Sequence, residues 1–276
     1  MTKSMIDSTT TDKAAKGGYA AVNGINLYHE ISGAGRPLII LHGGVSASEV
    51  FNPVLPVLKE SRRVIAVHLQ GHGRTADIDR PLSFEMMADD IAELIEHLNL
   101  ESADLLGYSL GGGVALQTTI RHPDMVRKLV LISTPFKRTG FFPEVLKDMG
   151  QMGPEAAKFM KESPLSQLYP DADWPRLFTK LGNLLQQDYD WSKGVAAIKS
   201  PVMITFADAD AVRTEHAMEF FRLLGGGQKD AGMDGSGRPV GQLAILPGMT
   251  HYNILAFPLL ATLVNTFLDI PMPEAR

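Results

Sequence analysis

The sequence predicts an α/β fold: a mostly parallel sheet with helices on both faces, carrying a helical cap insertion. Three observations predict it. Strand-length apolar runs alternate along the chain with stretches of helical spacing, the pattern of a parallel sheet covered on each side. Some of these runs, Leu38-Ile39-Ile40-Leu41 above all, are apolar at every position, as strands buried on both faces are. Finally, residues 136–192 hold helical patches but no strand-like run, and are too long for an ordinary loop.

In order, residues 19–22 and 25–31 are rich in β-formers and are separated by Asn23-Gly24, a hairpin signal. The turn Gly33-Ala34-Gly35-Arg36-Pro37 leads into the strand at 38–41, which ends at His42-Gly43-Gly44. A helix is expected over 49–58, then a buried strand at 63–67 followed by Gln70-Gly71-His72-Gly73-Arg74-Thr75. Ser83 is placed to cap a helix whose Met86, Met87, Ile91, Leu94, Ile95 and Leu98 recur at helical spacing. A strand at 103–108, a helix at 110–121 and a strand at 126–132 follow. Beyond the insertion come a strand at 201–206, a helix at 216–224, a strand at 242–246 and a helix at 257–268. Residues 225–241 read as a polar, Gly-rich, mobile loop. The expected organisation is therefore a loose tail (1–16), a core (17–135 and 193–276) and a cap (136–192).

The chain has 276 residues, 45% of them hydrophobic, which suits one α/β domain with an insertion. A net charge of -5 gives no basic field for nucleic acid or an anionic membrane surface. No run approaches the ~18 apolar residues a membrane helix requires. Absence of cysteine removes disulfides, thiol nucleophiles and thiolate metal sites, and fits a reducing compartment. The polar first twenty residues lack the apolar core of a secretory signal, so a cytoplasmic protein is expected. No His/Glu/Asp set has metal-ligand spacing, so neither metal nor cofactor is expected. Gly71-x-Gly73-x-x-Ala76 imitates a dinucleotide fingerprint. Asp77, Asp79 and Pro81 follow it, however, and they make a loop rather than a phosphate-binding helix.

Chemistry concentrates at Gly107-Tyr108-Ser109-Leu110-Gly111. An apolar strand runs into this pentapeptide and a helix leaves it, so Ser109 sits at the apex of a strand–turn–helix. Glycines on either side allow close backbone approach. The helix beginning at Leu110 would aim its free N–H groups and positive dipole end at the serine, where an anion would develop.

With these pieces placed, residues 19–268 resemble the α/β-hydrolase family, and within it the capped serine hydrolases. The resemblance rests on His42-Gly43-Gly44, Gly71-His72-Gly73-Arg74-Thr75, the Gly107–Gly111 elbow, Ala207-Asp208-Ala209-Asp210 and Pro247-Gly248-Met249-Thr250-His251. It implies a nucleophile at Ser109, an acid at Asp210 and a base at His251, in the chain order of this fold. It also implies that the backbone N–H groups of Gly44 and Leu110 hold an oxyanion, and that His42 shapes its loop. His68 departs from the pattern, since relatives usually carry Asp there, which unsettles local hydrogen bonding more than chemistry.

The insertion is rich in aromatic and Met side chains, and Tyr108, Phe136, Phe141, Met149, Met152, Met160 and Trp174 are the expected pocket residues. A small hydrophobic substrate follows, and the expected reaction is hydrolysis of a carboxylic ester or lactone through an acyl-enzyme. A cofactor-free haloperoxidase (perhydrolase) or a C–C bond hydrolase would use the same triad, and a non-turnover ligand sensor could share the fold. Dehalogenases and epoxide hydrolases of this fold need a carboxylate where Ser109 stands. The sequence sets no oligomeric state, a homodimer being compatible with it.

Overall fold

A computed structural model describes residues 16–272, so the expected tail at 1–16 lies almost wholly outside the described residues. One sheet of eight strands runs in the order β1-β2-β4-β3-β5-β6-β7-β8. The strands are β1 (Lys16–Val22), β2 (Ile25–Ser32), β3 (Arg36–Leu41), β4 (Arg62–Val67), β5 (Ala103–Tyr108), β6 (Val126–Ile132), β7 (Val202–Ala209) and β8 (Gln242–Thr250). Pairs β1–β2 and β2–β4 are antiparallel and every other pair is parallel. The first hairpin turns on Asn23 and Gly24, both with positive φ, as a tight primed turn demands.

Alternation along the strands sorts side chains into two cores. Ile39, Leu41, Ile65, Val67, Leu105 and Leu129 face one way, towards α2 (Phe84–His97) and α3 (Leu110–Arg121). Leu38, Ile40, Val64, Ala66, Leu106 and Val130 face the other, towards α1 (Leu55–Leu58) and, at the chain's end, α9 (Leu260–Asp269). Residues with no exposed surface on both faces explain why β3 reads as uninterrupted hydrophobe. Ser83 caps α2 as its position suggested, its hydroxyl accepting from Met86 N–H at 3.4 Å.

The helix expected over 49–58 is instead a 3-10 turn (Ser48–Phe51) and the short α1. Pro53 lacks the N–H that would carry the ladder across this stretch, and Pro56 is tolerated because it falls in the first turn of α1. Strands β7 and β8 run three and four residues further than the apolar runs indicated, to Ala209 and Thr250. The register shifts between Ala207 and Ala209, and pairing resumes at Ala209↔Thr250.

Between β6 and β7 the chain builds α4 (Pro143–Met149), α5 (Pro164–Leu168), α6 (Trp174–Leu185) and α7 (Ser192–Ala197), and adds no strand to the sheet. The ends of this segment meet: Lys137 bridges Asp190 antiparallel, Arg138 N–H donates to Tyr189 C=O at 3.0 Å, and Trp191 N–H donates to Phe136 C=O at 3.0 Å. Helix α8 (Thr214–Leu223) then joins β7 to the loop that leads to β8.

Beneath the loops that follow β3 and β4 lie His42, His68 and His72, each nearly without exposed surface. The His42 ring lies 5.0 Å from His72 and 6.2 Å from His68. Burial pushes His68 and His72 down to about 4 and His42 well below its usual value, so the folded state holds all of them neutral. Unfolded, each takes a proton near pH 6.5. Stability is therefore full above pH 6.5 and falls as the pH drops towards 4. Between pH 6.5 and 5, each of His68 and His72 should cost about 2 kcal/mol. Urea unfolding of the wild type and of His72→Phe at pH 7 and pH 5 should show the variant losing less stability on acidification, by about 2 kcal/mol. Equal losses would mean that His72 stays accessible to protons in the fold.

Candidate active site

Ser109 occupies the junction of β5 and α3 with φ 52° and ψ -115°, a conformation that costs an L residue of order 1–3 kcal/mol. Its surroundings enforce it. A Cβ on Gly107 would come within 2.4 Å of the Gly111 carbonyl oxygen, and one on Gly111 within 2.3 Å of that of Leu41. Only bare backbone lets α3 start this close to β3 and β5. Ser109 N–H remains tied to Ile132 C=O at 2.9 Å, and Ser109 C=O accepts from Gly113 N–H at 3.1 Å as the helix begins.

The Ser109 hydroxyl lies 3.0 Å from His251 Nε2, and His251 Nδ1 lies 2.9 Å from Asp210 Oδ1. Strand pairing brings this about. Because Ala209 pairs with Thr250, the next residues, Asp210 and His251, leave adjacent strands side by side. Asp210 is further held by N–H groups of Ala207 (3.0 Å) and Val212 (3.1 Å) and by the Ser133 hydroxyl (2.5 Å). Burial pushes the Asp210 carboxyl up, but the hydrogen bond and charge of His251, with Ser133 and Ala207, outweigh it and hold the group below the ordinary aspartate value. An ionised Asp210 accepts from Nδ1–H, which leaves Nε2 with the lone pair that faces Ser109. Such an arrangement can take a proton from the hydroxyl as its oxygen forms a bond.

Asp208 has a different job. Its exposed carboxylate accepts from the N–H groups of Gly248 (2.9 Å) and Met249 (3.2 Å), closing the turn that delivers His251. Tyr108 reaches the same loop, its hydroxyl donating to His251 C=O at 2.8 Å.

Across the serine, Gly44 and Leu110 both border the cavity. Leu110 is the first residue of α3, so its N–H has no partner within the helix. The loop carrying Gly44 rests on His42, whose Nε2 accepts from Leu69 N–H at 3.2 Å while Nδ1 donates to Gly43 C=O at 2.7 Å. Val45 beside it has φ 52°, an outlying conformation for a β-branched residue. His68 fills a structural role. Its Nδ1 accepts from Arg74 N–H at 2.9 Å, which leaves Nε2–H to face the Ser48 hydroxyl at 2.8 Å. A Cβ on Gly73 would lie 2.2 Å from that ring, so the glycine of the dinucleotide-like pattern makes room for His68 rather than for a phosphate.

The cavity above Ser109 measures about 240 Å³. Of the expected pocket residues, Tyr108, Phe141, Met149 and Met152 line it. Phe136, Met160 and Trp174 do not. Phe136 is wholly buried and stacks on His216 at 4.2 Å, behind the cavity wall. Met160 is buried in a 3-10 stretch (Ala156–Glu162) whose Phe159 packs against Phe178 of α6. Trp174 opens α6, two turns before Leu181, roughly 10 Å from where the helix meets the cavity. Leu181 and Leu185 line it instead, with Phe84, Val145, Tyr189 and Tyr252, none of which the sequence reading chose. The i, i+4 pair on the apolar face of α6 was the available signal for the leucines. Ser133 was also missed, although its place at the carboxyl end of β6 marks it.

Among the described residues no group of His, Asp and Glu could hold a metal ion, and no helix is long and apolar enough to cross a membrane. A sequence model described as the alpha/beta hydrolase fold matches residues 36–161. The chain is 32% identical over 208 residues to a pimeloyl-[acyl-carrier protein] methyl ester esterase of Neisseria meningitidis serogroup C, covering 67% of this chain and 79% of that one. It is 41% identical over 115 residues to a 2-hydroxymuconate semialdehyde hydrolase of a Pseudomonas species, covering 40% of this chain and 41% of that relative, so this match spans about two fifths of the relative's length. The fold is shared with the enol-lactonase of Burkholderia xenovorans, at a TM-score of 0.71 and 20% identity, covering 91% of this chain and 99% of that one.

Asp210→Asn should leave the fold intact and lower kcat by ~10⁴, because an amide favours the wrong imidazole tautomer. Asp208→Asn keeps an acceptor oxygen in its turn and should cost under about tenfold, the scale of one weakened hydrogen bond. Measuring kcat for both on one soluble ester, with circular dichroism as the folding control, decides between them. A dead Asp208→Asn beside an active Asp210→Asn would move the acid by two residues.

Proposed function

This chain belongs to the α/β-hydrolase family of hydrolases, and we propose that within it the protein is a serine hydrolase of small, uncharged, hydrophobic carboxylic esters or lactones, with no cofactor. The observation that carries the reading is the unbroken chain of contacts from Ser109 through His251 to Asp210, 3.0 and 2.9 Å long, opening into an apolar cavity.

The Ser109 oxygen attacks the acyl carbon while His251 Nε2 takes its proton, and Asp210 stabilises the imidazolium that results. The N–H groups of Gly44 and Leu110 hold the oxyanion, each worth ~10²–10³ in kcat. His251 returns the proton to the leaving alkoxide, and the alcohol departs. Water activated by the same ring then attacks the acyl-enzyme and releases the acid.

Residues 136–192 act as a cap that supplies much of the binding surface, through Phe141, Val145, Met149, Met152, Leu181, Leu185 and Tyr189. Lys and Arg are missing from the cavity lining among the described residues, which favours a neutral ester over the carboxylate-bearing substrates of a C–C hydrolase. Turnover separates the enzyme from a ligand sensor, and hydrogen peroxide as a competing nucleophile separates an esterase from a perhydrolase.

A fluorophosphonate should attach at Ser109 alone, and Ser109→Ala should abolish both labelling and ester turnover. Peptide mapping that found the label on Ser46 or Ser133 would sink the assignment. Along a p-nitrophenyl ester series, kcat/KM should rise about fourfold per methylene, the worth of ~0.8 kcal/mol each, until the cavity is full. A flat series would mean that the acyl chain does not enter it.

A further inference from the structure

Tyr189 stands apart from the rest of the cavity lining. It lies where the segment between β6 and β7 returns to the sheet, and its carbonyl is fixed by Arg138 N–H at 3.0 Å. Its ring stacks on Trp191 at 4.3 Å and tilts against Phe84 at 5.6 Å. Phe84 in turn is buried against α3, where a Cβ on Gly113 would meet its ring at 2.5 Å. The tyrosine, itself half-buried, is thus wedged in one orientation in the cavity wall, while Tyr252, 82% exposed, marks the mouth.

The hydroxyl of Tyr189 makes no hydrogen bond among the described residues, which its neighbours' behaviour makes notable. Tyr108 donates to His251 C=O, and the Thr134 hydroxyl faces Ser109 C=O at 3.3 Å and Ile132 C=O at 3.1 Å. Beyond Ser109 and His251, the described lining residues with a hydroxyl free of hydrogen bonds are Tyr189 and the exposed Tyr252. Burial holds this phenol above the ordinary tyrosine range, against the pull of Arg138, so it remains a neutral donor. An O–H on an apolar cavity wall with no protein acceptor is a donor that a matched ligand can pair.

We propose that Tyr189 is a specificity residue, and that the acyl group of the substrate ends in an uncharged acceptor oxygen, a ketone or ester carbonyl, which this hydroxyl binds. The proposal rests on the serine-hydrolase reading above. The acyl part is assigned to the Tyr189 side of the cavity because the alcohol must leave, and water must arrive, by way of the mouth at Tyr252. The cavity's 240 Å³ is room for on the order of eight water-sized groups at ~30 Å³ each. That suits a short chain with one polar end. Among the described residues the cavity lining holds no Lys or Arg to pair a free carboxylate, the nearby Arg138 being engaged by Leu185 C=O and Asp188, whereas a carbonyl oxygen meets one directed donor. Sites built around such a donor discriminate sharply against analogues that lack the acceptor.

The test uses p-nitrophenyl levulinate and its next two oxo homologues, each beside the alkanoate of equal chain length, on the wild type and Tyr189→Phe. Tyr189→Phe should lower kcat/KM for the best oxo ester about fivefold to tenfold more than it lowers that for the matched alkanoate. Equal losses on both would reduce Tyr189 to a packing role and overturn the proposal, as would oxo esters that never respond to the substitution. Binding of the same esters to Ser109→Ala, with and without Tyr189→Phe, needs no turnover. An oxo preference that persists there, with no ester hydrolysed by the wild type, would sink the serine-hydrolase reading and keep the tyrosine contact. Hydrolysis of alkanoates with no oxo preference would do the reverse.

Discussion

The close approach of α3 to β3 and β5 governs the rest of the structure. At Gly107 and Gly111 the backbones of strand and helix meet within a distance that no side chain could share, and the turn between them can only be made by forcing Ser109 to φ 52°. The strain of that residue is offset by packing throughout α3, where Val114, Ala115 and Leu116 are wholly buried. What the strain yields is position. The hydroxyl is lifted out of the sheet, clear of its own backbone, and the unpaired N–H at the head of α3 is brought alongside it. A relaxed serine would lie in the strand, out of reach of His251, which follows β8.

Legibility from sequence follows the same physics. Elements buried on both faces were plain, because β3, β5 and β6 must be apolar throughout. So were the residues held at strand ends: Ser109, Asp210 and His251 each follow an apolar run. The strand extensions to Ala209 and Thr250 were not legible, because they depend on pairing after a register shift, which leaves no mark on composition. Pro53 and Pro56 did mark the broken helix near Phe51, and their weight was underestimated against hydrophobic spacing. The cavity was least legible. Phe136, Met160 and Trp174 have the chemistry of a binding pocket, yet are spent on packing. Which apolar residue faces a cavity depends on helix rotation and on the tie between Lys137 and Asp190, both set by tertiary contacts.

The buried histidines make a comparable point about charge. His42, His68 and His72 are held neutral by burial, and each hydrogen bonds to backbone around the loops bearing Gly44 and Arg74. At His42 and His68 one ring nitrogen accepts while the other donates, so both sides of a loop are tied without a net charge, whereas His72 bonds through Nδ1 alone. His68 thereby accepts from Arg74 N–H on one side and meets the Ser48 hydroxyl on the other. Asp210, by contrast, is the buried carboxylate placed where its charge is useful, on the far side of His251 from the serine.

Reactivity and selectivity consequently come from different parts of the chain. The groups around Ser109 hang from strand ends whose register is fixed by the sheet, and tolerate little movement. Much of the apolar cavity lining comes from the segment between β6 and β7, which meets the core at its neck (137–138 and 189–191), at Phe141, bridged to Val212, and through Lys180, paired with Asp77. Tyr189 lies on that neck. Its backbone is bound to Arg138 and its ring to Phe84 of the core, so it combines the fixed position of a sheet residue with a place in the variable wall. A polar contact meant to measure the far end of a short acyl chain needs that combination, because a donor on a mobile helix would accept many lengths and one on the sheet could not reach past the serine.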